Sequence, residues 1–194
     1  NIAKNLRQTA SNILIIDHST TASTVLQGND TYDFKNITIV KPSNVIADAA
    51  GILISSNVAT STFTNCAIFG FGATDPCPNA TGGWNWVNCA TDMDKFQIAL
   101  DAPVETNSHK NETYSATTPF IQAAATGVLD FALAATATNL IDGGTTGGPA
   151  NDIVGTVRDL TPDIGAFEFV STGGSGWDMI PPFLHHRRIA TNRI

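Results

Sequence analysis

The sequence predicts an all-β protein built as a solenoid, in which short strands stack in successive coils. Two types of apolar strand recur along residues 1–70 at a long spacing, and tight hairpin signals such as Asn-Gly are absent between them. The composition agrees, with 28 Ile and Val against 10 Leu, and with 41 Thr and Asn. Because branched residues favour strands and Asn favours turns, these observations argue against a helical bundle, a coiled coil and a disordered chain.

The charge pattern narrows the function. The 194 residues include 17 Asp and Glu against 10 Lys and Arg, which gives a net charge of −7. This balance argues against general nucleic-acid binding, since residues 1–184 hold too few cations to neutralise a run of phosphates. The charge is also uneven: residues 1–184 carry 7 basic and 17 acidic side chains (−10), and the last ten residues carry +3. No apolar stretch approaches the length of a membrane span, and no signal peptide is visible.

The predicted coils of residues 1–70 rest on recurring strands. One strand type occurs at Ile13–Ile16, again at Ile37–Val40 and a third time at Ala67–Phe69. A second strand type alternates with it, at Thr24–Leu26 and at Ile52–Ile54. Each type thus returns at a long and similar interval, which is typical of a solenoid in which every coil contributes two or three short strands. A β-sandwich, which also uses short strands, is the alternative.

Residues 71–116 break this pattern and are predicted to be a long loop insertion between coils. Within them, Thr91–Leu100 is a candidate short helix, because Met93, Phe96 and Leu100 share one helical face. Trp84 and Trp86 have two interpretations. They can stack on sugar rings as glycan contacts, or they can anchor the loop as buried apolar side chains.

Three cysteines are present, which is an odd number for a disulfide framework. Cys77 and Cys89 flank a loop rich in Gly, Asn and Trp, and they are a candidate disulfide if the compartment is oxidising. Cys66 lies in an apolar run and is predicted to be a small core residue.

Four motifs in the C-terminal part carry a family resemblance. They are Val-Leu-Asp-Phe-Ala-Leu at 128–133, Asn-Leu-Ile-Asp-Gly-Gly at 139–144, Asn-Asp-Ile-Val-Gly-Thr-Val-Arg at 151–158 and Pro-Asp-Ile-Gly-Ala-Phe-Glu at 162–168. Together they resemble the C-terminal signature of right-handed parallel β-helix proteins, in particular the bacterial choice-of-anchor Q group. The resemblance implies a right-handed parallel β-helix whose final coils and C-terminal cap occupy residues 117–170.

The same segment gathers four carboxylates around one arginine, and two interpretations remain open. In the structural one, the guanidinium binds one or two carboxylates while the others cap turns through backbone N–H groups. In the other, the cluster binds Ca²⁺, which prefers several oxygen ligands. A central arginine disfavours a cation, so we expect a structural cap without a metal or other cofactor. Its residues are Asp142, Asp152, Arg158, Asp163 and Glu168.

Residues 171–176 form a Gly/Ser linker, and residues 177–194 form a tail unlike the rest of the chain. The tail combines apolar residues with a basic run, which suggests a docking segment. Its candidate contact residues are Trp177, Phe183, Arg187 and Arg188.

These features suggest two functions. The first is a virion structural protein, such as a phage tail fibre, spike or capsid-decoration module, which assembles through its tail, attaches to surface glycan and forms a homo-oligomer such as a trimer. The second is a secreted bacterial cell-surface protein that binds or cleaves polysaccharide. Both imply a virion or extracellular location. An enzyme is the less favoured alternative: Lys95, Lys110 and Arg158 are the only Lys or Arg over residues 42–184, and no carboxylate pair is evident for a lyase or a hydrolase.

Overall fold

A computed structural model of the chain describes residues 7–18, 26–27, 31–42, 54–55, 61–71, 84–96, 104–123 and 127–171. These residues form an all-β fold that contains no α-helix. Their main feature is a seven-stranded parallel sheet curled into a half-barrel, which is compatible with the predicted solenoid. A second, two-stranded parallel sheet accompanies it.

The strands are numbered in chain order: β1 (Arg7–Ile16), β2 (Leu26–Gln27), β3 (Thr31–Val40), β4 (Ile54–Ser55), β5 (Thr62–Thr64), β6 (Ala67–Phe69), β7 (Asn85–Val87), β8 (Ala90–Thr91) and β9 (Val104–Thr106). In the main sheet they stack in five levels. Level 1 is β1, level 2 is β3, level 3 is β5 with β6, level 4 is β7 with β8, and level 5 is β9. One 3₁₀ helix, Val128–Phe131, follows.

The pairing register confirms the predicted strands of the first type; of those of the second type only the last residues, Leu26 and Ile54, are described. Ile13 pairs with Ile37, and Thr38 pairs with Ala67, so the three strands of the first type lie on one another. In the small sheet Leu26 pairs with Ile54, which joins the two strands of the second type. All of these pairs are parallel, so successive levels follow the same path and like side chains lie above one another.

A column of asparagines divides each level into two halves. Its members, which we call the asparagine column, have φ between 48° and 54°: Asn12, Asn36, Asn65, Asn88 and Asn107. Asn is the non-glycine residue that adopts this left-handed conformation most readily, so it bends the strand where other side chains would be strained. In the sequence, each of the first four asparagines of the column is followed by Ile or Cys. This repeated pair is the signal for the column, and the spacing of the strands alone does not reveal it.

The half-strands before the column alternate, because one face is buried and the other faces outward. Phe34, Phe63 and Trp86 lie in register on the inner face, with ring centroids 5.4 and 4.4 Å apart in successive pairs. Thr62 and Thr64, on either side of Phe63, are only half-buried. The inner face therefore carries an aromatic stack with roughly the spacing of adjacent strands.

At levels 2 to 4 the half-strands after the column are buried on both faces, and they are mainly apolar, with Thr38 and Thr91 as buried polar exceptions. Ile37 and Ile39 belong to the inner core, whereas Val40, Ala67 and Phe69 belong to a second core on the opposite face. This explains why the sequence there reads as continuous apolar runs and not as an alternation.

The second core corrects the predicted position of the C-terminal segment. We expected residues 117–170 to form the final coils and the C-terminal cap of the solenoid. Instead Ile164 and Phe167 pack on the outer face of the sheet, together with Phe120, Phe131 and Leu140. The backbone N–H of Ala166 donates to Thr38 Oγ1 at 2.9 Å, and that of Gly165 donates to the carbonyl of Asn65. The segment is a lateral cover, here called the cover (residues 114–123 and 127–169).

Part of the cover, residues 143–151, runs across the asparagine column and is here called the strap. Asn88 Nδ2 donates to the carbonyl of Gly143 at 2.7 Å, and Asn65 exchanges two hydrogen bonds with the backbone of Thr145, at 2.7 and 2.8 Å. At the far end, Asn12 Nδ2 donates to the carbonyl of Asn151. The strap thus passes from level 4 back to level 1. It is held by the side-chain amides of the asparagines whose backbone conformation bends the strands.

The predicted loop insertion at 71–116 is wrong for its described part. β7, β8 and β9 lie within it and continue the parallel sheet through levels 4 and 5. The candidate helix Thr91–Leu100 is also wrong as far as it can be followed: Thr91 ends β8, and the chain bends without helix through Phe96. Residues 97–100 lie outside the described residues. Phe71, Trp84, Trp86, Cys89 and Phe96 of this region belong to the inner core. The sequence did not reveal this, because the spacing of the strands changes here.

Candidate functional site

The structure brings together all five residues of the predicted cap. Arg158 Nη1 lies 2.9 Å from Glu168 Oε2 in a buried ion pair, and Arg158 Nη2 donates to the carbonyl of Gly165 at 3.0 Å. The guanidinium also reaches Asn12 Oδ1 of the asparagine column at 3.4 Å. Burial lowers the pKa of Arg158, while the neighbouring carboxylate of Glu168 raises it. Arg158 therefore fastens the cover to level 1 of the sheet.

The other carboxylates accept backbone N–H donors at turns. Asp152 Oδ1 accepts from Val154 and Thr156 at 2.9 and 2.7 Å, and its Oδ2 accepts from Glu168. The carboxylate of Asp163 accepts from the N–H groups of Asp142 and Phe169. Burial raises the pKa of Asp163 to about 7. Glu168 thus pairs with the arginine and the carboxylates of Asp152 and Asp163 accept backbone N–H groups, which is compatible with the structural interpretation.

The cluster does not have the geometry of a calcium site. The carboxylate oxygens of Asp152, Asp163 and Glu168 face backbone N–H groups, which occupy the lone pairs that a cation needs. Asp142 Oδ1 accepts from the Thr161 hydroxyl at 3.3 Å. Across the described part of the chain, no group of three or more His, Cys, Asp or Glu side chains could hold a metal ion.

Trp84 and Trp86 are fully buried, so neither ring face is open to a sugar in this structure. Their assignment as glycan contacts is corrected to a core role. Trp86 stacks between Phe63 and Phe96, with centroids at 4.4 and 5.0 Å. Both indole N–H groups are buried without a hydrogen-bond partner among the described residues. The register explains the burial, because Trp86 takes the inward position above Phe63.

The cysteines lie in the inner core as far as they are described. Cys66 and Cys89 follow successive asparagines of the column, and both are free, buried thiols. The backbone N–H of Cys66 donates to Cys89 Sγ at 3.4 Å, and Cys89 Sγ donates to the carbonyl of Phe63. Burial, with a further contribution from Cys66, raises the pKa of Cys89, which disfavours the reactive thiolate. Cys77, the predicted disulfide partner of Cys89, lies outside the described residues.

The predicted docking tail cannot be placed. Its contact residues Trp177, Phe183, Arg187 and Arg188 lie outside the described residues, as does all of the linker except Ser171.

An outward-facing polar surface on the half-strands before the asparagine column is a candidate site that sequence reasoning missed. Two columns of small polar or charged side chains face away from the aromatic stack, and we call them the polar face. Its residues are Thr9, Asp33, Thr62 and Asn85 in one column, and Ser11, Lys35 and Thr64 in the other, which continues at level 4 with the apolar Val87. The available signal was the alternation with buried residues in segments such as Tyr-Asp-Phe-Lys and Thr-Phe-Thr.

The polar face contains a groove at levels 1 and 2. The groove has a volume of about 300 Å³ and is lined by Thr9, Ala10, Ser11, Asp33 and Lys35. That volume lies at the low end of the range for ligand pockets. Lys35 Nζ donates to the carbonyl of Gly147 at 2.9 Å, so the strap positions this side chain at the edge of the face. Hydroxyl, carboxylate and ammonium groups in one groove can exchange hydrogen bonds with a polyhydroxylated ligand.

Asp92 and Tyr114 are two titratable residues that lie where the sheet meets the cover. Both carboxylate oxygens of Asp92 lie 3.1 Å from the backbone N of Gly70, and burial raises the Asp92 pKa to about 6. The neighbouring Tyr114 donates its hydroxyl to the carbonyl of Lys41 at 2.5 Å, and burial raises its pKa as well. Gly70 has φ of 87°, and a Cβ there would lie 2.2 Å from the same carbonyl, so glycine is required at this junction.

Comparisons with family models, with curated proteins and with solved structures give no match. The resemblance carried by the motifs in residues 128–168 therefore stays a prediction. Within the described residues, no helix has the length and apolar character needed to cross a membrane.

Proposed function

We propose that the chain is a right-handed parallel β-helix module of a virion, such as a tail fibre, spike or capsid-decoration part, that attaches to surface glycan through its polar face. Right-handedness is the general expectation for parallel strands joined by crossover connections. The parallel register over five levels supports the solenoid part of this proposal. Burial of both faces after the asparagine column at levels 2 to 4 supports a stiff scaffold, since these levels are packed from two sides.

The observation that carries the attachment role is the polar face itself. It presents hydroxyl, amide and charged groups on a regular sheet, and its side chains repeat at the distance between strands. The aromatic side chains that could compete for this role are buried in the core. A repeating surface suits a repeating ligand, because each level can make the same kind of contact with successive units of a polymer.

The test is glycan binding by a polar-face variant. In Thr9→Val/Ser11→Val, two exposed hydroxyls of the groove are lost while the preference for strand is kept. We expect binding to a panel of surface polysaccharides to weaken by about tenfold or more. Thr117→Val, an exposed hydroxyl on the cover, is the matched control and should bind like the unmodified chain. Equal binding by both variants would remove the polar face as the attachment surface.

The alternative, a secreted bacterial surface protein that binds or cleaves polysaccharide, uses the same face but a different assembly. Under the virion proposal, the C-terminal tail docks on other virion proteins and the chain forms a homo-oligomer, with a trimer as one option. Finding the chain in purified particles supports the virion proposal. Finding it on the bacterial envelope without particles supports the alternative.

A further inference from the structure

A second, smaller cavity lies between the strap and the Arg158 side chain, and we call it the strap cavity. It has a volume of about 120 Å³ and is lined by Asn36, residues 146–150 of the strap, Arg158, Asp159 and Pro162. Asn36 and Arg158 are buried, whereas residues 146–148 are exposed, so the cavity has a buried polar floor and an open mouth. Ligand pockets begin at roughly 300 Å³, so a cavity of this size takes one group of a ligand and not the whole molecule.

Two side-chain atoms of the lining residues are buried without a hydrogen-bond partner: Asn36 Oδ1 and Arg158 Nε. The two side chains converge, because Asn36 Nδ2 and Arg158 Nη1 both donate to the carbonyl of Asp163, at 3.5 and 3.4 Å. A Cβ at Gly148 would lie 2.1 Å from Asn36 Oδ1, so this oxygen lies against the strap where the strap lines the cavity. Because an unpaired buried polar atom is costly, a group that accepts from Arg158 and donates to Asn36 gains free energy on entering.

The strap cavity adjoins the groove of the polar face. Lys35 lines the groove, and its Nζ donates at 2.9 Å to the carbonyl of Gly147, which lines the cavity. A sugar bound in the groove can therefore place one substituent in the cavity. Both unpaired atoms are covered in the free chain, so the substituent reaches them as the strap backbone shifts at Gly147 and Gly148, where no side chain opposes the movement.

We infer, on the basis of the proposed attachment role, that the strap cavity takes the acetamido group of an N-acetylated hexosamine in the attached glycan. The acetamido carbonyl accepts from Arg158 Nε, and its N–H donates to Asn36 Oδ1. Its methyl group contacts the apolar side of the cavity, which is formed by Pro149, Ala150 and Pro162. A carboxylate or sulfate has no hydrogen to donate to Asn36, an ammonium would face the guanidinium of Arg158, and a hydroxyl would leave the apolar side without a contact.

The experiment compares two oligosaccharides of the same linkage and length, one of N-acetylglucosamine and one of glucose. They differ at one carbon of each sugar, which bears an acetamido group in the first and a hydroxyl in the second. Binding of the full chain to each is measured by titration calorimetry. We expect the N-acetylglucosamine oligomer to bind at least about tenfold more tightly, because the glucose oligomer leaves the apolar side of the cavity empty and does not reach both buried atoms.

Equal or weaker binding of the N-acetylglucosamine oligomer would overturn the inference and leave the attachment role standing. If neither oligomer binds, a broad glycan panel decides between the two claims. Binding confined to glycans without N-acetylated sugars would overturn the inference alone, whereas a panel without any binding would show that the attachment role itself is wrong.

Asn36→Gly supplies a second arm, because glycine keeps the left-handed backbone at φ of 52° and removes the acceptor oxygen. The preference for the N-acetylated oligomer should fall to less than about twofold. Asn107→Gly is the matched control, since Asn107 has the same backbone conformation but an exposed side chain at level 5, and it should keep the full preference.

Ala150→Leu tests the same cavity without touching the buried atoms. Ala150 is exposed, so the larger side chain fills the cavity from its mouth and should also reduce the preference to less than about twofold. This variant decides the matter if Asn36→Gly fails to fold. A preference that survives unchanged in Ala150→Leu would place the acetamido group outside the strap cavity and overturn the inference.

Discussion

At the scale of single residues, the described part of the chain places several polar groups in the interior and satisfies most of them with backbone partners. Asp163 and Asp152 accept backbone N–H groups, and Glu168 pairs with Arg158 while also accepting from Asp163. Each of these contacts joins the cover to itself or to the sheet. Because a buried polar group without a partner is costly, such contacts define one arrangement of the cover among the many that its apolar residues would permit.

The residue types of this cluster could be predicted from the sequence, but their location could not. The excess of carboxylates over cations in residues 142–168 indicated that turns would be capped by side chains. Ile164 and Phe167 were recognisably apolar and in need of burial. The spacing of Ile164 and Phe167 does not indicate whether they pack on the end of the sheet or on its outer face, because both surfaces are apolar. Tertiary packing decided this in favour of the outer face.

Asp92 gives a pH-dependent prediction. Burial raises its pKa in the folded state to about 6, above the unfolded value of 3.8, so the fold is penalised once this carboxyl ionises. Stability therefore falls as the pH rises from about 4 through about 6, and the penalty is absent below the unfolded pKa. Asp92→Asn keeps an oxygen for the Gly70 N–H and removes the charge. We expect it to raise the free energy of unfolding by about 1–2 kcal/mol at pH 8 after solvent screening.

Urea unfolding at about pH 3 and about pH 8 checks this expectation. The two proteins should have nearly equal stability at the lower pH, where Asp92 is mostly protonated in both the folded and the unfolded state. Asp94→Asn is the control, because Asp94 is exposed and lies two positions further along the chain. A destabilising effect of Asp92→Asn at pH 8 would show that the ionised carboxylate stabilises this junction.

At the scale of elements, the asparagine column divides two kinds of strand. Before it, the sequence alternates and one face is left for solvent or ligand. After it, both faces are buried at levels 2 to 4 and the sequence is mainly apolar. The strands Ile13–Ile16 and Ile37–Val40 could be predicted because they belong to this second kind, which repeats most clearly. β7 to β9 were missed because they are short, and because the paired positions Asp33, Thr62, Asn85 and Val104 follow one another at progressively shorter intervals.

Substitutions of Asn65 test the two roles of the asparagine column, which bends the strands and anchors the strap. Asn65→Gly keeps the left-handed backbone but loses two hydrogen bonds to Thr145, whereas Asn65→Ala also strains the backbone at φ of 54°. We expect losses of about 1–3 kcal/mol for the glycine variant and about 1 kcal/mol more for the alanine variant.

Asn107 is the matched control, since it has the same backbone conformation at level 5 but an exposed side chain. Asn107→Gly should change the free energy of unfolding by less than about 0.5 kcal/mol. Amide hydrogen exchange at Thr145 should accelerate in the Asn65 variants only. If Asn65→Gly and Asn107→Gly had the same effect, the strap would not depend on the column.

At the scale of the whole molecule, the described residues form a curled parallel sheet with an aromatic core inside and a cover outside. The polar face points outward and meets the cover at Lys35, whose Nζ donates to the carbonyl of Gly147 in the strap. Thr9 and Ser11 are exposed, and the other residues of the face are half-buried. Sequence periodicity predicts the stacked strands, because similar apolar segments recur at a long spacing and pair with one another in neighbouring strands. It does not predict which face stays open, because that depends on where residues 117–170 fold back.

The tail provides a prediction at this scale. A segment that serves only for docking is not needed for folding, so we expect deletion of residues 177–194 to change the free energy of unfolding by less than about 1 kcal/mol. Under the virion proposal, the same deletion abolishes incorporation into particles. Arg187→Glu/Arg188→Glu tests the basic part of the tail separately and should weaken incorporation. Normal incorporation of the deleted chain would contradict a docking role for the tail.

The central claim is that the open polar face is the ligand surface, and mapping of backbone amide shifts by NMR on addition of a neutral hexose oligosaccharide tests it most directly. We expect shifts that grow with ligand concentration at the polar-face residues Thr9, Ser11, Asp33, Lys35, Thr62 and Thr64, and no comparable shifts in the cover. Shifts centred on the cover, with the polar face unchanged, would contradict the claim.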